Sequence, residues 1–488
     1  MAKYAIPDWV KDAIFYQIFP DRFAKSEAVP KPSNLEPWAS PPTAHGLKGG
    51  DLLGVLEHLD YLEELGITAI YFNPIFQSAA NHRYFPHDYY QVDPILGGNN
   101  AFRRLLDEAH QRGIRVILDG VFNHVGRGFF QFNHILENGP ASPYVDWFHI
   151  KSFPLNAYSG QPNYKCWANL PALPEFNADN PQVRKFIFDV ARYWIEQGID
   201  GWRLDVPFCI DDDSFWQEFR GTVKAANPEA YLVGEIWQDA TRWLQGDQFD
   251  AVMNYLFTQT CIGFLVGERL DGELVAGMGY APIPTLDAQA FAQHIEELLA
   301  LYPWEVSLAQ LNLLDSHDTA RFLTLAGGDV SALKLAVLFQ MTYPGVPCIY
   351  YGDEIGLEGG PDPDCRRAFP WDEARWDHDL LAVFRRAITL RHEHAALRRG
   401  RYLRLQADDQ HGVYAFGRQE ERETLVVVLN KGPISYDLDV PVRGLFTDGM
   451  VLHDVWKGGW AQVTAGRITG ATLPPCSGAV LVAEEHPG

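Results

Sequence analysis

The chain has 488 residues, more than one compact core usually organises, so about two or three domains are expected. Hydrophobic residues make up 47% of the sequence and charged residues 21%, as in ordinary globular proteins. The formal net charge of −23 disfavours nucleic acids and anionic membranes as partners, because both attract basic surfaces.

The sequence contains no recognisable targeting or membrane-spanning segment. The first ten residues, MAKYAIPDWV, lack the apolar core of a signal peptide, and no run of about 18 apolar residues occurs. The six cysteines are scattered, without a C-x-x-C pair or a regular disulfide framework. These features predict a soluble, cytoplasmic protein with reduced thiols and no membrane contact.

Apolar β-type runs alternate with helical patterns from the N-terminus onwards. Eight runs predict strands, which are in chain order 13–19, 67–72, 114–118, 201–206, 231–236, 250–255, 308–314 and 348–351. Helical patterns between them include 52–65, 101–112, 182–197 and 333–341. Gly66, Gly113 and Gly198 each follow a helical pattern, where glycine suits a left-handed cap. Eight buried strands that alternate with helices predict a parallel (β/α)8 TIM barrel.

Two regions depart from this alternation. Residues 126–177 are rich in Pro, Asn, Gly and aromatic residues, and because structureless loops of that length are rare, they predict an inserted subdomain after the third strand. The last segment has short β-branched runs, such as 413–417 and 424–429, separated by turn residues, which predicts an antiparallel β domain. The predicted borders are 1–125 and 178–397 for the barrel, 126–177 for the insertion and 398–488 for the β domain.

Three carboxylates each end a predicted strand: Asp205 in GWRLDV, Glu235 in LVGEIW and Asp318 in LLDSHDT. Catalytic groups of a (β/α)8 barrel lie at the C-terminal ends of its strands, so all three are expected in one cleft. Paired carboxylates can break a glycosidic bond, one as nucleophile and one as proton donor, and mutual repulsion keeps their protonation states apart. Any one of them could instead cap a helix or pair with a surface cation, but three together favour catalysis.

Two charged residues would support this site. Arg203 lies two residues before Asp205, hence on the same face of its strand, where a guanidinium would keep the carboxylate ionised and oriented. Asp119 ends the third predicted strand and could hold Arg203 in place.

Three further residues are candidates for contact with a sugar. His124 follows the third strand and His317 precedes Asp318, and either could donate a hydrogen bond to a sugar hydroxyl, although an isolated histidine is more often structural. Tyr84 follows the second strand and is the candidate for a platform under a sugar ring, since flat apolar sugar faces pack on aromatic rings. An ordinary packed tyrosine is the alternative.

Four segments resemble the signature regions of glycoside hydrolase family 13, the α-amylase family. They are DGVFNH (119–124), GWRLDV (201–206), GEIW (234–237) and LLDSHDT (313–319). The similarity extends from FYQIFPDRF (15–23) to YYGDEIG (350–356) and into the C-terminal domain, so it covers nearly the whole chain. It implies a catalytic barrel, an inserted domain B and a C-terminal antiparallel β-sandwich.

The resemblance also implies a retaining mechanism on α-glucosidic bonds. Asp205 would attack the anomeric carbon while Glu235 protonates the leaving oxygen. Water or a sugar would then resolve the β-glycosyl-enzyme, with Glu235 acting as base. Asp318 would bind sugar hydroxyls and stabilise the oxocarbenium-like transition state.

Within the family, three segments are most similar to the neopullulanase, cyclomaltodextrinase and maltogenic amylase group. They are FYQIFPDRF, LPEFN (173–177) and DPDCRRAFPWD (362–372). By that similarity Asp362 and Arg366 would bind a glucose unit on the non-reducing side of the cleaved bond; a solvated salt-bridge network is the alternative for this loop. The implied substrates are maltooligosaccharides, cyclodextrins, pullulan or starch, cleaved at α-1,4 bonds, with α-1,6 bonds left open and transglycosylation expected.

The chain departs from the pattern of that group at three places. The N-terminal domain that mediates dimerisation in those relatives is missing, so the oligomeric state is left open and a wider cleft is expected. The residues after the nucleophile read VPFC (206–209) in place of VANE, which leaves the balance of hydrolysis and transfer open. Phe85 replaces the aspartate of an H-x-Y-D pattern.

No cofactor motif is present, and the chemistry requires none. Many amylases bind calcium through the asparagine that matches Asn123 and through a histidine whose position is Cys209 here, a poor ligand for a hard cation. The segment after DRF, AKSEAVPKPSN, lacks the carboxylate spacing of a calcium loop. A calcium-independent enzyme is therefore favoured over a calcium-dependent one.

Two other functions compete with hydrolysis. A glucanotransferase or a sucrose-isomerising enzyme would share the chemistry and differ only in the acceptor. A non-catalytic binding or transporter-associated protein would use the same scaffold, but such proteins typically lose a catalytic carboxylate or gain a membrane anchor. This chain keeps all three carboxylates, which favours an enzyme.

Overall fold

The computed structural model describes residues 4–277 and 279–483 of the chain. Contacts divide the chain into two compact units, each assembled from several chain segments. Unit 1 comprises Met1–Asp8, Phe15–Met253 and Arg366–Trp371, and unit 2 comprises Trp9–Ile14, Asn254–Cys365 and Asp372–Gly488.

Unit 1 contains eight strands, six of which form one parallel sheet. The strands are β1 (Phe15–Ile18), β2 (Ala69–Phe72), β3 (Phe76–Ser78), β4 (Pro86–Val92), β5 (Arg115–Gly120), β6 (Gly201–Leu204), β7 (Tyr231–Gly234) and β8 (Ala251–Val252). The parallel strands lie in the order β8-β7-β6-β5-β2-β1. Strands β3 and β4 form a separate antiparallel pair that the sequence pattern did not predict.

The helices of unit 1 include those predicted over 52–65, 101–112 and 182–197, and others that were not predicted. They are α1 (Pro20–Phe23), α2 (Leu52–Glu57), α3 (Leu59–Leu65), α4 (Gly98–Gln111), α5 (Phe130–Asn138), α6 (Pro181–Glu196) and α7 (Asp213–Ala226). The single helix predicted over 52–65 was wrong in one respect, because it divides at His58 into α2 and α3. Gly66, Gly113 and Gly198 have the positive φ angles predicted for helix caps.

The inserted segment 126–177 has an aromatic core of its own. The rings of Phe148 and Phe176 stack with centroids 5.6 Å apart, and Phe132 meets Phe148 edge to face at 5.0 Å. Isolated antiparallel bridges, such as Phe148 with Phe176 and Ile150 with Tyr164, close the segment on itself. This packing supports an inserted subdomain, and its borders stay a prediction.

Unit 2 begins with a parallel strand pair and its helices. The strands are β9 (Leu311–Leu313) and β10 (Val346–Tyr350). The α-helices are α8 (Tyr255–Cys261), α9 (Ala288–Leu301), α10 (Trp304–Ser307), α11 (Phe322–Leu325), α12 (Val330–Thr342), α13 (His378–Glu393) and α14 (Ala395–Arg399). A π-helical turn, Ile262–Val266, extends α8. Strand β9 is shorter than the predicted strand over 308–314. Leu308 and Ala309 lie in the turn after α10, where they are buried without pairing to a strand.

The C-terminal part of unit 2 is antiparallel. Its strands are β11 (Arg401–Asp408), β12 (Val413–Glu420), β13 (Glu423–Asn430), β14 (Tyr436–Asp437), β15 (Val440–Pro441), β16 (Val451–Asp454), β17 (Trp460–Thr464), β18 (Arg467–Thr469), β19 (Thr472–Leu473) and β20 (Ser477–Ala483). Eight of them form a sheet in the order β11-β12-β13-β20-β16-β17-β18-β15, and β14 pairs with β19. Alternate residues such as Val426, Val428 and Leu481 face one buried hydrophobic core.

The predicted fold class is therefore confirmed. The two units supply eight parallel strands that alternate with helices, as in a (β/α)8 barrel, followed by an antiparallel β-sandwich. Throughout residues 4–277 and 279–483, no helix is both long and apolar enough to cross a lipid bilayer.

The buried side chain of Arg391 donates hydrogen bonds to backbone carbonyl groups of several segments of unit 2. Nη1 of Arg391 donates to the carbonyl oxygens of Met341, Tyr343 and Leu397 at 2.9, 3.3 and 3.1 Å, and Nη2 contacts the carbonyl of Gly345. Burial, followed by the charge of neighbouring arginines, lowers the pKa of Arg391 to about 9. The guanidinium is therefore protonated at neutral pH and serves as a fixed donor to the end of α12 and the start of β10.

We predict that Arg391→Met destabilises the protein. The variant leaves several buried carbonyl oxygens without their donor, so the free energy of unfolding in urea should fall by about 3 kcal/mol. Arg401→Met is the matched control, since Arg401 is exposed and its guanidinium donates to Gln419 at 3.0 Å. Equal stability of Arg391→Met and the wild type would contradict the role assigned to these bonds.

Candidate active site

The register of three neighbouring strands brings the site residues together. Asp119 in β5 lies beside Arg203 in β6. The backbone bonding continues just past the strand ends, where the N–H of Asp205 donates to Gly120 at 3.1 Å and that of Glu235 donates to Leu204 at 2.9 Å. The C-terminal ends of β5, β6 and β7 therefore hold four of the predicted site residues within one part of unit 1.

One guanidinium contacts three carboxylates at this place. Nη1 of Arg203 lies 2.9 Å from Oδ1 of Asp205 and 3.0 Å from both carboxylate oxygens of Asp119. Nη2 of the same residue lies 3.0 Å from Oε2 of Glu235. Arg203 and Asp119 are fully buried, and Asp205 and Glu235 retain only 7% and 6% exposure. A charge buried this deeply is tolerated only when paired, so the cluster must remain intact.

Asp119 is also held by two tyrosines. The hydroxyls of Tyr71 and Tyr84 donate to its Oδ2 at 2.7 and 2.8 Å. Asn73 donates to the Tyr84 hydroxyl at 3.1 Å and accepts from Gln17 at 3.0 Å. Tyr71, Asn73 and Gln17 were missed in the sequence. Their positions at the ends of β1 and β2 were the available signal, because strand ends of such a barrel border the site.

Glu235 is oriented by two donors besides Arg203. The indole N–H of Trp237 donates to Oε1 at 3.0 Å, and the backbone N–H of Val206 donates to Oε2 at 3.0 Å. Val206 has φ 35° and ψ 51°, a left-handed conformation that is costly for a β-branched residue. This strained backbone directly after Asp205 aims an N–H at Glu235. Neither contact was predicted, although Trp237 is part of the GEIW motif.

Burial has the largest effect on the pKa of Asp205. Loss of solvent raises the pKa of its carboxyl well above the usual value, Arg203 opposes this shift, and the charges of Glu235 and Asp119 add to it. Burial likewise raises the pKa of Asp119, with Arg203 and the two tyrosine hydroxyls opposing. Because a carboxyl nucleophile must be ionised, the acidic limit of activity should lie above the ordinary titration range of an aspartate.

His124 lies beside Tyr84 and is uncharged. Its Nε2 is 3.2 Å from the carbonyl oxygen of Tyr84, and its ring stacks on Trp167 with centroids 5.4 Å apart. Burial lowers the pKa of His124 to about 4. Donation from Nε2 to a sugar hydroxyl would require the contact with Tyr84 to open. The Tyr84 side chain is half-buried and anchored through its hydroxyl, and its role as a platform stays a prediction.

Asp318 and His317 belong to unit 2 and contact each other. Nε2 of His317 lies 3.1 Å from Oδ2 of Asp318. The side chain of Asp318 is 31% exposed, whereas His317 is buried. The prediction that Asp318 ends a strand was wrong. Strand β9 ends at Leu313, and Asp318 lies in the following loop, where its N–H donates to Oγ of Ser316 at 3.2 Å.

The other two predicted sugar ligands have different environments. Asp362 is exposed in unit 2. Arg366 belongs to unit 1 and is buried, with its guanidinium carbon 5.4 Å from the centroid of the Phe19 ring. A cation over an aromatic face is favourable, so the Phe19 ring contributes to stabilising the buried Arg366. Sugar binding by both residues stays a prediction.

The residues that match a calcium site do not fit a calcium ion. The side-chain amide of Asn123 is buried and lies 3.3 Å from Nδ1 of His124. Burial, followed by nearby carboxylates, raises the pKa of Cys209 to about 12, so its thiol remains protonated and is a poor ligand. Within the described part of the chain, no group of three or more His, Cys, Asp or Glu side chains is arranged to hold a metal ion.

Comparison with known proteins identifies the family. The description alpha amylase, catalytic domain, matches residues 17–400. The chain belongs to the α-amylase family. A second description, the neopullulanase-like C-terminal domain, matches residues 402–481. The resemblance inferred from the motifs is therefore confirmed, and this member of the α-amylase family is a glycoside hydrolase.

Three similar proteins cover most of the chain. Cyclomaltodextrinase from Bacillus sp is 48% identical over 434 residues, which are 88% of this chain and 75% of that protein. Neopullulanase 2 from Thermoactinomyces vulgaris is 48% identical over 483 residues, 98% of this chain and 79% of that protein. Among solved structures, the native debranching enzyme from Nostoc punctiforme is 52% identical with a TM-score of 0.90, covering 99% of this chain and 100% of that one.

We predict that Asp119→Asn moves the acidic limb of the pH profile to lower pH. The substitution removes a negative charge that raises the pKa of Asp205, and it releases Nη1 of Arg203 to Asp205 alone. Both effects lower that pKa, so the ionised nucleophile persists to lower pH. The acidic limb of kcat/KM for a chromogenic α-maltoside should shift by about one pH unit.

Asp200→Asn is the control for this shift. Asp200 is a buried carboxylate in the same unit, but it pairs with Arg115 at 2.7 Å and does not contact Arg203. Its substitution should leave the acidic limb unchanged. A shift of the Asp119→Asn limb to higher pH would contradict the electrostatic account.

Proposed function

We propose that the chain is a retaining α-glucoside hydrolase that cleaves α-1,4-glucosidic bonds through a covalent β-glycosyl-enzyme. The observation that carries this proposal is the contact of Asp205 and Glu235 with the two terminal nitrogens of one guanidinium, that of Arg203. Sharing a single cation keeps the two carboxyl groups close together. Close spacing is the requirement of retaining enzymes, whereas inverting enzymes need room for a water molecule between the carboxyl groups.

In the first step Asp205 is the nucleophile. One of its carboxylate oxygens forms a bond to the anomeric carbon, while the bond from that carbon to the leaving oxygen breaks. Glu235 transfers its proton to the leaving oxygen and becomes a carboxylate. Asp205 loses its negative charge as it becomes an ester while Glu235 gains one, so the total charge beside Arg203 is unchanged, and the contact of Arg203 with Glu235 stabilises the new carboxylate.

In the second step Glu235 acts as base. It removes a proton from a water molecule, whose oxygen forms a bond to the anomeric carbon as the ester bond to Asp205 breaks. The N–H groups of Val206 and Trp237 hold the carboxylate of Glu235 through both steps. Two inversions at one carbon return the α-configuration.

Asp318 is assigned to the transition state on the resemblance to the family. It would bind sugar hydroxyls and oppose the positive charge that develops on the sugar ring. Asp362 and Arg366 are proposed as sugar-binding residues on the same ground. Tyr84, His124, His317 and Arg203 are proposed to bind the substrate because of their positions in the sequence beside the strand ends that carry the carboxylates. Asp119 and Arg203 support the nucleophile and are assigned no direct role in bond cleavage.

The proposed substrates are α-glucans of moderate size. The names of the relatives, cyclomaltodextrinase and neopullulanase, support cyclodextrins, pullulan and related maltooligosaccharides or starch. The similarity to a debranching enzyme supports α-1,6 bonds as a further target. We also propose that the enzyme acts in the cytoplasm and requires no metal ion.

We predict that Asp205→Asn and Glu235→Gln separate the two carboxyl roles. With starch or β-cyclodextrin, both variants should lose about a thousandfold in kcat. With an α-maltosyl fluoride, whose leaving group needs no proton, Glu235→Gln should retain formation of the glycosyl-enzyme and Asp205→Asn should not. Proton NMR of the wild-type reaction should detect the α-anomer of the product first, and EDTA should leave the rate unchanged.

Asp250→Asn is the control, because Asp250 is a buried carboxylate of unit 1 that pairs with Arg220 and Lys224. It should keep wild-type rates on every substrate. Initial release of the β-anomer would exclude retention. Full activity of Asp205→Asn would exclude its role as nucleophile, and an EDTA-treated enzyme that recovers only with Ca²⁺ would overturn the metal-free proposal.

A specific observation favours transglycosylation as a second activity. Phe208 is 46% exposed in the turn Pro207–Cys209, two residues after the backbone N–H that binds Glu235. An exposed ring two residues along the chain from an N–H that donates to Glu235 would offer an apolar surface to a sugar that replaces water as acceptor. This ring supports a glucanotransferase or sucrose-isomerising activity, whose products would be new or rearranged oligosaccharides.

We predict that Phe208→Ala lowers transfer relative to hydrolysis. With maltotriose as donor and glucose as added acceptor, the ratio of transfer to hydrolysis products should fall about fivefold, because one ring-to-sugar contact is lost. Leu170→Ala is the control, since Leu170 has the similar exposure of 45% and belongs to the same unit. An unchanged ratio in Phe208→Ala would remove this support for transfer.

A further inference from the structure

One cavity in unit 1 contains none of the proposed catalytic carboxylates. Its volume is about 360 Å³, which is in the range of small-molecule sites. Segments 79–87, 127–133 and 158–172 contribute to its walls, together with His45. The residues used below are His82, Phe85, His87, Arg127, Gly128 and Tyr158.

The most exposed large apolar side chain of this wall is Tyr158. Its residue is 75% exposed, and the guanidinium carbon of Arg127 lies 4.5 Å from the centroid of its ring. Arg127 is itself held by a hydrogen bond from Nη1 to the carbonyl oxygen of Ala157 and by one from its backbone N–H to Ala172 at 3.1 Å. The arginine therefore supports the tyrosine ring, and the remaining ring surface is accessible to a ligand.

In another part of the wall the backbone at Gly126 and Gly128 packs closely against the ring of His87. A Cβ atom at Gly128 would lie 2.5 Å from Cε1 of His87, and one at Gly126 would lie 2.7 Å from the same ring. Both distances are too short for any side chain, so glycine lets the backbone pack directly against the imidazole. This packing restricts the position of His87, which lines the cavity.

The cavity adjoins the segment that carries Tyr84. His82 and Phe85 line the cavity, and their rings meet edge to face at 4.9 Å. Nδ1 of His82 accepts a hydrogen bond from the backbone N–H of Tyr84 at 3.1 Å. The Tyr84 hydroxyl in turn donates to Asp119 of the carboxylate cluster. Within this short segment, Tyr84 contacts the carboxylate cluster, while His82 and Phe85 line the cavity.

We propose that this cavity is a subsite for further glucose units of a long α-glucan chain, with the ring of Tyr158 as the platform for a sugar face. The inference rests on the proposed function, since it places additional units of the same substrate beside the catalytic cluster. The ring supplies the apolar contact, and Asn133, His45 and His87 supply polar groups along the same wall.

Arg127 places one positive charge in the wall, on the face of the Tyr158 ring, and His82 and His87 add none. Burial, followed by the charge of Arg366, lowers the pKa of His82 to about 3, and burial also lowers that of His87. Both imidazoles are therefore uncharged at neutral pH. No Asp or Glu is among the described residues of the wall, so a sugar would not be exposed to an unpaired carboxylate there.

We predict that Tyr158→Ala impairs long substrates selectively. With maltohexaose, KM should rise about tenfold because one ring-to-sugar contact is lost, while kcat is unchanged. With maltotriose, which is too short to fill both places, kcat and KM should stay at the wild-type values. Tyr158→Phe keeps the ring and should behave as the wild type with both substrates.

Phe130→Ala is the matched control. Phe130 is a 63% exposed aromatic residue of the same inserted segment, but it does not line the cavity. Its kinetics should match the wild type for both substrates. An unchanged KM of Tyr158→Ala for maltohexaose, or an equal rise for maltohexaose and maltotriose, would overturn the subsite while leaving the proposed hydrolase intact. A wild-type enzyme that cleaves neither oligosaccharide would overturn the proposed function itself, and the subsite with it.

Discussion

The contact of Arg203 with three carboxylates is the interaction on which the site depends. Asp119, Asp205 and Glu235 lie at the ends of adjacent strands, and without a cation their burial together would be strongly unfavourable. Arg203 lies inside β6, so its place is set by the pairing of that strand with β5 and β7 and does not depend on a flexible loop. The parallel sheet thereby fixes the distance between Asp205 and Glu235, the proposed nucleophile and proton donor.

Residues from several strands and from the segments that follow them form hydrogen bonds around this cluster. Tyr71 and Asn73 come from the end of β2, and Gln17 from β1, so the network reaches across the sheet to Asp119. On the other side, Val206 adopts a left-handed backbone to bring its N–H to Glu235. Strain of this kind persists only where surrounding packing over-determines it, and here it helps to orient Glu235.

The segment between β3 and β4 contributes residues both to the carboxylate cluster and to the neighbouring cavity. Arg83 has a φ of 60° and is buried, with Nε 2.8 Å from Asp93 and Nη1 hydrogen-bonded to the carbonyl of Asn81. This fixed turn lets Tyr84 reach the carboxylate cluster while His82 lines the neighbouring cavity. A single rigid turn therefore links the carboxylate cluster with the cavity proposed to bind further glucose units.

The sequence by itself determined the alternation of strands and helices, the barrel and β-sandwich classes, and the gathering of Asp119, Arg203, Asp205 and Glu235, because residue spacing and parallel pairing dictate which side chains share a strand end. The structure alone decided the hydrogen bonds that Tyr71, Tyr84 and Trp237 donate to that cluster, the left-handed Val206, the loop position of Asp318 and the cavity beside Tyr158. These features depend on contacts between residues far apart in the chain and on backbone angles of single residues. Neither leaves a periodic pattern, so no sequence argument based on periodicity or motifs could have found them.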